Sequence, residues 1–249
     1  MLLDGKVALV SGTGPNIGAE IARTLAANGA TVACMDLNEK YAQAAAISIN
    51  EAGGKAIGVA ADITQPESVE KAVQEVLGAF GKIHLLVNDA AISDRKPFLE
   101  ADLADWRKVL DVILTGTFIV SQQVARQMVA QGDGGAIVNI VSTSGHRGES
   151  ARIAYGTAKS GLLNFTRSMA VQLASHNIRV NSVTPTTTGT PVGMPDAPRD
   201  DNNPPTDMPL HRWGRPSDQA QAVLFLLSPN ADFITGIDVP CDGGRLASA

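Results

Sequence analysis

The feature that most constrains this chain is an alternation repeated along nearly its whole length. Short, largely apolar runs at residues 6–10, 31–35, 56–60, 83–87 and 136–141, and a strand-like stretch at 178–183, are separated by amphipathic stretches at 17–28, 40–52, 66–80, 103–129, 151–176 and 216–228. The apolar runs have the pattern of a parallel strand buried on both faces. Strands that alternate with helices predict right-handed crossovers and a doubly wound parallel sheet. The expected fold is α/β: a Rossmann-type sheet of about seven strands flanked by helices in one domain, with the last strand inside residues 236–244. A length of 249 residues, 44% of them hydrophobic, suits one such domain. Only residues 186–212 break the pattern, with six prolines, four aspartates and little periodicity, and they are expected to form a lid over a substrate site.

Charge narrows the partners. A net charge of −5 argues against nucleic acid or an anionic membrane surface, and no apolar run approaches spanning length. The start of the chain lacks the pattern of a secretion signal, so a cytoplasmic protein is expected. Cys34 and Cys241 have no metal-ligand spacing and are expected to be free thiols; no metal site is expected.

The first apolar run ends in Ser-Gly-Thr-Gly-Pro-Asn-Ile-Gly over residues 11–18, directly before a helix. A glycine turn there lets backbone N–H groups approach a pyrophosphate at a helix N-terminus. Its glycines, Gly12, Gly14 and Gly18, do not match GxGxxG, and a plain tight turn is the competing explanation. The second run ends in Asp36, about 20 residues on, where an acid can accept from both ribose hydroxyls of an adenosine. Asp36 would repel a 2′-phosphate, and Thr13, Leu37 and Asn38 supply no cation to receive one, so NAD is expected over NADP. The alternative is that Asp36 only caps the next helix. Asp62 ends the third run within reach of an adenine, and Asn88 to Ala91 form the turn after the fourth.

The chemistry is expected at Ser142, Tyr155 and Lys159. Residues four apart share a helix face, so Lys159 can lie beside Tyr155 if 151–176 is helical. Moving a phenol from its usual pKa to about 7 asks for about 4 kcal/mol. A cation about 5 Å away supplies about 3 kcal/mol at an effective dielectric near 20. The positive ring of an oxidised nicotinamide would add the remainder. Tyr155 would then exchange the proton of an alcohol, while Ser142, thirteen residues earlier, holds the reacting oxygen.

Together these motifs resemble the single-domain short-chain dehydrogenase/reductase family over nearly the whole chain. The glycine turn is similar to that family's TGxxxGxG loop, Asn88 to Ala91 to its NNAG turn, and Ser142, Tyr155 and Lys159 to its serine and YxxxK pair. The resemblance implies a hydride-transferring alcohol dehydrogenase or ketone reductase, assembled as a homotetramer or homodimer through helices around 103–129 and 151–176. It implies a cofactor site of Gly12, Gly14, Asn16, Ile17, Gly18, Asp36, Asp62, Ile63, Asn88, Ala90, Tyr155, Lys159, Pro185, Thr188 and Thr190, with Lys159 also on the nicotinamide ribose. Ser144, His146, Arg152 and Met194 are the expected substrate contacts, with Ser93, Phe98, Arg147, Glu149 and Trp213 nearby candidates.

Several positions depart from the family pattern. Asn16 replaces the middle glycine of the loop, a residue type that tolerates left-handed backbone. Asp89 and Ala91 replace the second asparagine and the glycine of NNAG, Thr186 replaces a glycine after Pro185, and His84 stands where aspartate is common. The largest departure is Ile113, where the family's asparagine completes a tetrad by holding a relay water. Isoleucine cannot hydrogen-bond, so the relay is expected to be rerouted, slowed or absent, and Ile113→Asn is expected to alter turnover or its pH profile without changing cofactor affinity. A catalytically weak dinucleotide-binding protein, with a structural or regulatory cofactor, therefore stays open beside the enzyme.

Overall fold

The computed structural model describes residues 1–189 and 205–248. Among them, one sheet has strands β1 Val7–Ser11, β2 Thr31–Asp36, β3 Lys55–Ala60, β4 Leu85–Asn88, β5 Gly135–Ile140, β6 Ile178–Pro185 and β7 Asp238–Cys241. Every neighbouring pair is parallel, in the order β3-β2-β1-β4-β5-β6-β7. The helices are α1 Ile17–Ala27, α2 Glu39–Glu51, α3 Pro66–Phe80, α4 Leu103–Leu110, α5 Thr117–Gln131, α6 Ile153–Leu173 and α7 Pro216–Leu227.

The near-continuous apolar runs follow from the two-residue period of a strand between two layers. In β1, Ala8 and Val10 pack with Ile21, Leu25 and Leu224 on one face, while Val7 and Leu9 pack with Val69, Val76 and Met128 on the other. Each fully buried aliphatic side chain contributes roughly 1.5–3 kcal/mol. The ends of α3 follow local rules: Pro66 occupies its first turn and Gly81, at φ 78°, stops it in left-handed backbone.

Two expected helices differ in detail. The stretch expected to be helical over 103–129 is α4, a π-helical segment Asp111–Gly116 and α5 in succession. Gly116 lies where a Cβ would come within 2.7 Å of the Ile63 side chain, so its small size lets the widened turn approach the end of β3. The helix expected over 151–176 begins at Ile153, because Arg152 is left-handed at φ 70°. His84 proves structural: its Nδ1 accepts the Val7 N–H at 3.0 Å across β1 and β4. Cys34 is buried and Cys241 partly buried, both as free thiols.

Candidate active site

The order of connections reverses between β1 and β4, and in open α/β sheets ligands bind beyond the strand ends at such a point. A cleft of about 690 Å³ lies there, lined by the glycine turn, the ends of β2 and β3, the turn after β4, the end of β5, the start of α6 and the segment after β6.

The glycine turn is shaped by close packing. Gly12 is left-handed at φ 80°, and a Cβ on it would meet the Ala90 backbone nitrogen at 2.5 Å. A Cβ on Gly18 would collide with the Gly12 carbonyl and approach Asp89 Oδ2 to 2.8 Å. Asn16, at φ −155° and ψ −125°, does not use the left-handed backbone expected of it. It keeps its place through its side chain, whose Nδ2 donates to the Thr188 carbonyl at 3.3 Å and so ties the turn to the segment after β6.

Asp36 lines the cleft and accepts from the Asn38 N–H at 2.9 Å and from the Gly14 N–H. It does not cap α2: Asn38 does, accepting from the Lys40 N–H. Burial raises the Asp36 carboxyl above its ordinary range, against those two N–H groups. Asp62 lines the cleft with its Oδ1 held by the Thr64 N–H and hydroxyl, at 2.9 and 2.7 Å, and Ile63, Ala90, Pro185 and Thr188 line it as well. Asn88 does not: its side chain turns into the core, donating to Ser121 Oγ at 2.9 Å and Asn139 Oδ1 at 2.8 Å. The parallel pairing of β4 with β5 sets it opposite Asn139. Thr190 and Met194 lie outside the described residues.

Ser142, Tyr155 and Lys159 converge as expected from their spacing. The Ser142 hydroxyl donates to the Tyr155 phenol, and the Lys159 ammonium sits 5.7 Å from the centre of the tyrosine ring. Lys159 Nζ also donates to the Ile140 carbonyl at 2.6 Å, which aims the lysine at the end of β5. The electrostatics differ from expectation. Burial pushes the Tyr155 phenol up to about 12, outweighing the Ser142 hydrogen bond and the nearby Arg152. Burial likewise pulls Lys159 down, only partly offset by Asp89. Asp89 is held well above the carboxylate range, again by burial first and against the Lys159 charge and the Gly18 N–H. Desolvation, which the sequence-level sum omitted, is the largest influence on all three groups.

The substrate side is divided. Ser144 and Arg152 line the cleft and are joined through Glu149, whose carboxylate accepts from Ser144 Oγ at 2.6 Å and from the Arg152 guanidinium. His146 faces away, its Nε2 lying 3.1 Å from both Thr184 Oγ1 and Asp238 Oδ2, so a carboxylate on β7 takes the ring that was expected to meet substrate. Arg147 pairs with Asp207 at 3.6 Å, and Phe98 is exposed. Ile113 is wholly buried against Tyr155, Ala158 and Leu162, so it is a packing residue at the back of the catalytic helix.

Sequence reasoning missed three contributors. Asp94 is almost buried, and its two oxygens accept the N–H groups of Ala154 and Tyr155, each at 3.0 Å. Arg95 and Arg245 line the cleft, Arg245 holding Thr186 Oγ1 at 2.9 Å. No local signal marks them, since each acts across tens of residues.

The close-packed glycine turn, the start of α1 and Asp36 at the end of β2 fit a dinucleotide cofactor: backbone donors for its phosphates and a carboxylate for an adenosine ribose. The comparisons with known proteins agree in class. A family model described as enoyl-(acyl carrier protein) reductase, of the short-chain alcohol dehydrogenase type, matches residues 12–245. The chain belongs to the short-chain dehydrogenase/reductase family of oxidoreductases. It is 40% identical to the 3-oxoacyl-[acyl-carrier-protein] reductase FabG of Aquifex aeolicus, over 97% of this chain and 98% of that one. It is 37% identical to the D-threitol dehydrogenase of Mycolicibacterium smegmatis, over 97% and 93%. Identity to the cis-4-hydroxycyclohexanecarboxylate dehydrogenase of Sinomonas cyclohexanicum is 38%, over 97% of both. A solved short-chain type dehydrogenase/reductase from Mycobacterium marinum superposes with a TM-score of 0.92 at 36% identity, covering 98% of this chain and 96% of that one.

Proposed function

We propose that this protein is an NAD-dependent oxidoreductase that interconverts a secondary alcohol and its ketone, with Tyr155 as general acid/base. The observation that carries the reading is the meeting of three groups at one wall of the cleft: the Ser142 hydroxyl on the Tyr155 phenol, with Lys159 5.7 Å from the same ring. The glycine turn, Asp36, Asp62, Ile63, Ala90, Pro185 and Thr188 would hold the dinucleotide, which when bound accepts or supplies the hydride. Ser142 donates a hydrogen bond to the reacting oxygen. Tyr155 takes the hydroxyl proton as the alcohol is oxidised and returns one to the carbonyl in the reverse direction. Lys159 favours the phenolate. Because burial leaves the phenol raised even with Ser142 and Arg152 beside it, the positive charge of an oxidised nicotinamide would help make Tyr155 competent. Asp36 supports NAD over NADP, since no lysine or arginine accompanies it at residues 37 and 38.

Residues 186–212 would form the substrate lid, and Thr186 to Thr188 at their start line the cleft. The helical faces of α5 and α6 would carry a homo-oligomeric contact, where Phe118, Met169 and Leu173 border an apolar groove.

The test is the appearance of NADH absorbance across secondary alcohols, including four-carbon polyols and hydroxycyclohexane acids after the relatives' names, with NAD and NADP in parallel and Tyr155→Phe as control. A signal with NAD that vanishes in the variant supports the reading. Tight NADH binding with no turnover on a broad panel sinks it in favour of a structural or regulatory cofactor.

A further inference from the structure

We infer that Arg152 is a second cation for the phenol beside its helix partner Lys159, a positioning residue that acts through Tyr155, and that Glu149 sets how much of its charge the phenol feels. The inference rests on the reading of Tyr155 as the acid/base.

The geometry carries it. The Arg152 guanidinium lies 5.5 Å from the centre of the Tyr155 ring, as near as the Lys159 ammonium at 5.7 Å. A cation over an aromatic face is attracted to the ring, and more strongly once the ring oxygen carries charge. Arg152 reaches this place through a backbone that few side chains adopt: φ 70°, ψ 44°, immediately before α6. Left-handed backbone at a residue with a Cβ persists only when its surroundings hold it there, and such residues gather at functional sites. Here the holding groups are on either side. Asp94 fixes the Ala154 and Tyr155 N–H groups, and Glu149 binds the Arg152 guanidinium while also accepting from Ser144 in the cleft wall.

The groups facing the phenol come from every element packed on it. Ser142 approaches from the end of β5, Glu149 and Arg152 from the loop before α6, and Lys159 from α6 itself; Asp89 and Asp94 lie on the segment after β4. Arg152 and Ser142 favour the phenolate, while Asp89 and Glu149 oppose it. The two cations differ in kind. Lys159 is fully buried and its charge is disfavoured by desolvation, whereas Arg152 is partly exposed and paired with Glu149.

A cation this close to the ring, partly exposed and paired with Glu149, is expected to shift the phenol by about one pH unit. The experiment uses the full-length protein carrying Tyr41→Phe. The chain has two tyrosines, so Tyr155 is then the sole phenol. In that background Arg152→Met, Arg152→Lys and Glu149→Gln are compared by two readouts: phenolate absorbance against pH without cofactor, and the acidic limb of kcat/KM for alcohol oxidation with NAD. Arg152→Met should raise the acidic limb by about one pH unit, and Arg152→Lys should restore it to within a few tenths. Glu149→Gln should shift both readouts downward, bringing phenolate formation into an accessible range. An unmoved limb in Arg152→Met, the same shift in Arg152→Lys, or no downward shift in Glu149→Gln overturns the inference. If the parent turns over no alcohol, the proposed function fails, while the spectroscopic titration of Glu149→Gln still decides the role of this charge pair.

Discussion

Asp94→Ala tests how the catalytic helix is held. The Asp94 carboxylate accepts from two successive N–H groups at the first turn of α6, Ala154 and Tyr155, at 3.0 Å each. The first N–H groups of any helix lack intrahelical partners, and here they are buried, so removing the carboxylate strands both. A hydrogen bond to a charged group contributes about 1.5–3 kcal/mol, and replacing an N-cap by alanine costs about 0.5–2 kcal/mol. Allowing for water entering the space, the loss should be about 3 kcal/mol, with Asp94→Asn losing about half because one acceptor survives. For a domain of this size that corresponds to a fall in Tm of about 6–12 °C. Urea and thermal melts at one fixed protein concentration measure it, and NADH binding is followed in parallel. Dinucleotide affinity should hold while kcat falls about tenfold, because Tyr155 loses its backbone anchor and the glycine turn does not. A loss below about 0.5 kcal/mol in Asp94→Ala would show that these two bonds do not anchor α6.

Asp36→Ala should bring NADP affinity within about tenfold of NAD by removing the carboxylate that repels a 2′-phosphate, and competitive binding of the two reduced cofactors checks it. Ile113→Asn, expected from the family pattern to alter turnover or its pH profile, should also destabilise the protein by about 2–4 kcal/mol, since the site is wholly buried among Tyr155, Ala158 and Leu162; denaturant melts report it. Asp89 makes stability depend on pH. Its carboxyl is raised in the folded protein, which therefore keeps a proton that the unfolded chain has released between the ordinary carboxylate pKa and the raised one. Stability without cofactor should fall as pH rises through that window, and Asp89→Asn should reduce the slope, with the raised Asp36 carboxyl keeping a smaller part of it; equal slopes in the two proteins contradict the assignment.

Much of the fold was legible because its signals are local. Residues 66–80 read as a helix opening near Pro66 and running to Phe80, and α3 spans those residues. The π-helical turn at Asp111–Gly116 was not legible, because no periodicity marks it and Gly116 packs against Ile63, far away in the chain. Within the site, Asp36 was readable from its place at a strand end, and α2 proved to have its own cap in Asn38. His146 was misread, since its loop position pointed to the cleft and only the arrival of β7 beside β6 supplies the Asp238 carboxylate that turns it away.

The sequence by itself determined the alternation of strand and helix, the parallel sheet that follows from it, and the shared helix face of Tyr155 and Lys159, because periodicity and helix geometry act over a few residues. The tertiary structure alone decided what surrounds that face. Asp94 beneath the helix start, Arg152 across the ring, Asp89 behind the glycine turn and the Asn16 bridge to Thr188 all join segments far apart in the chain. The same holds for the protonation of the site. The charges on Tyr155 and Lys159 are set first by how completely packing removes them from water, and burial is a property of the assembled layers, carried by no single stretch of residues.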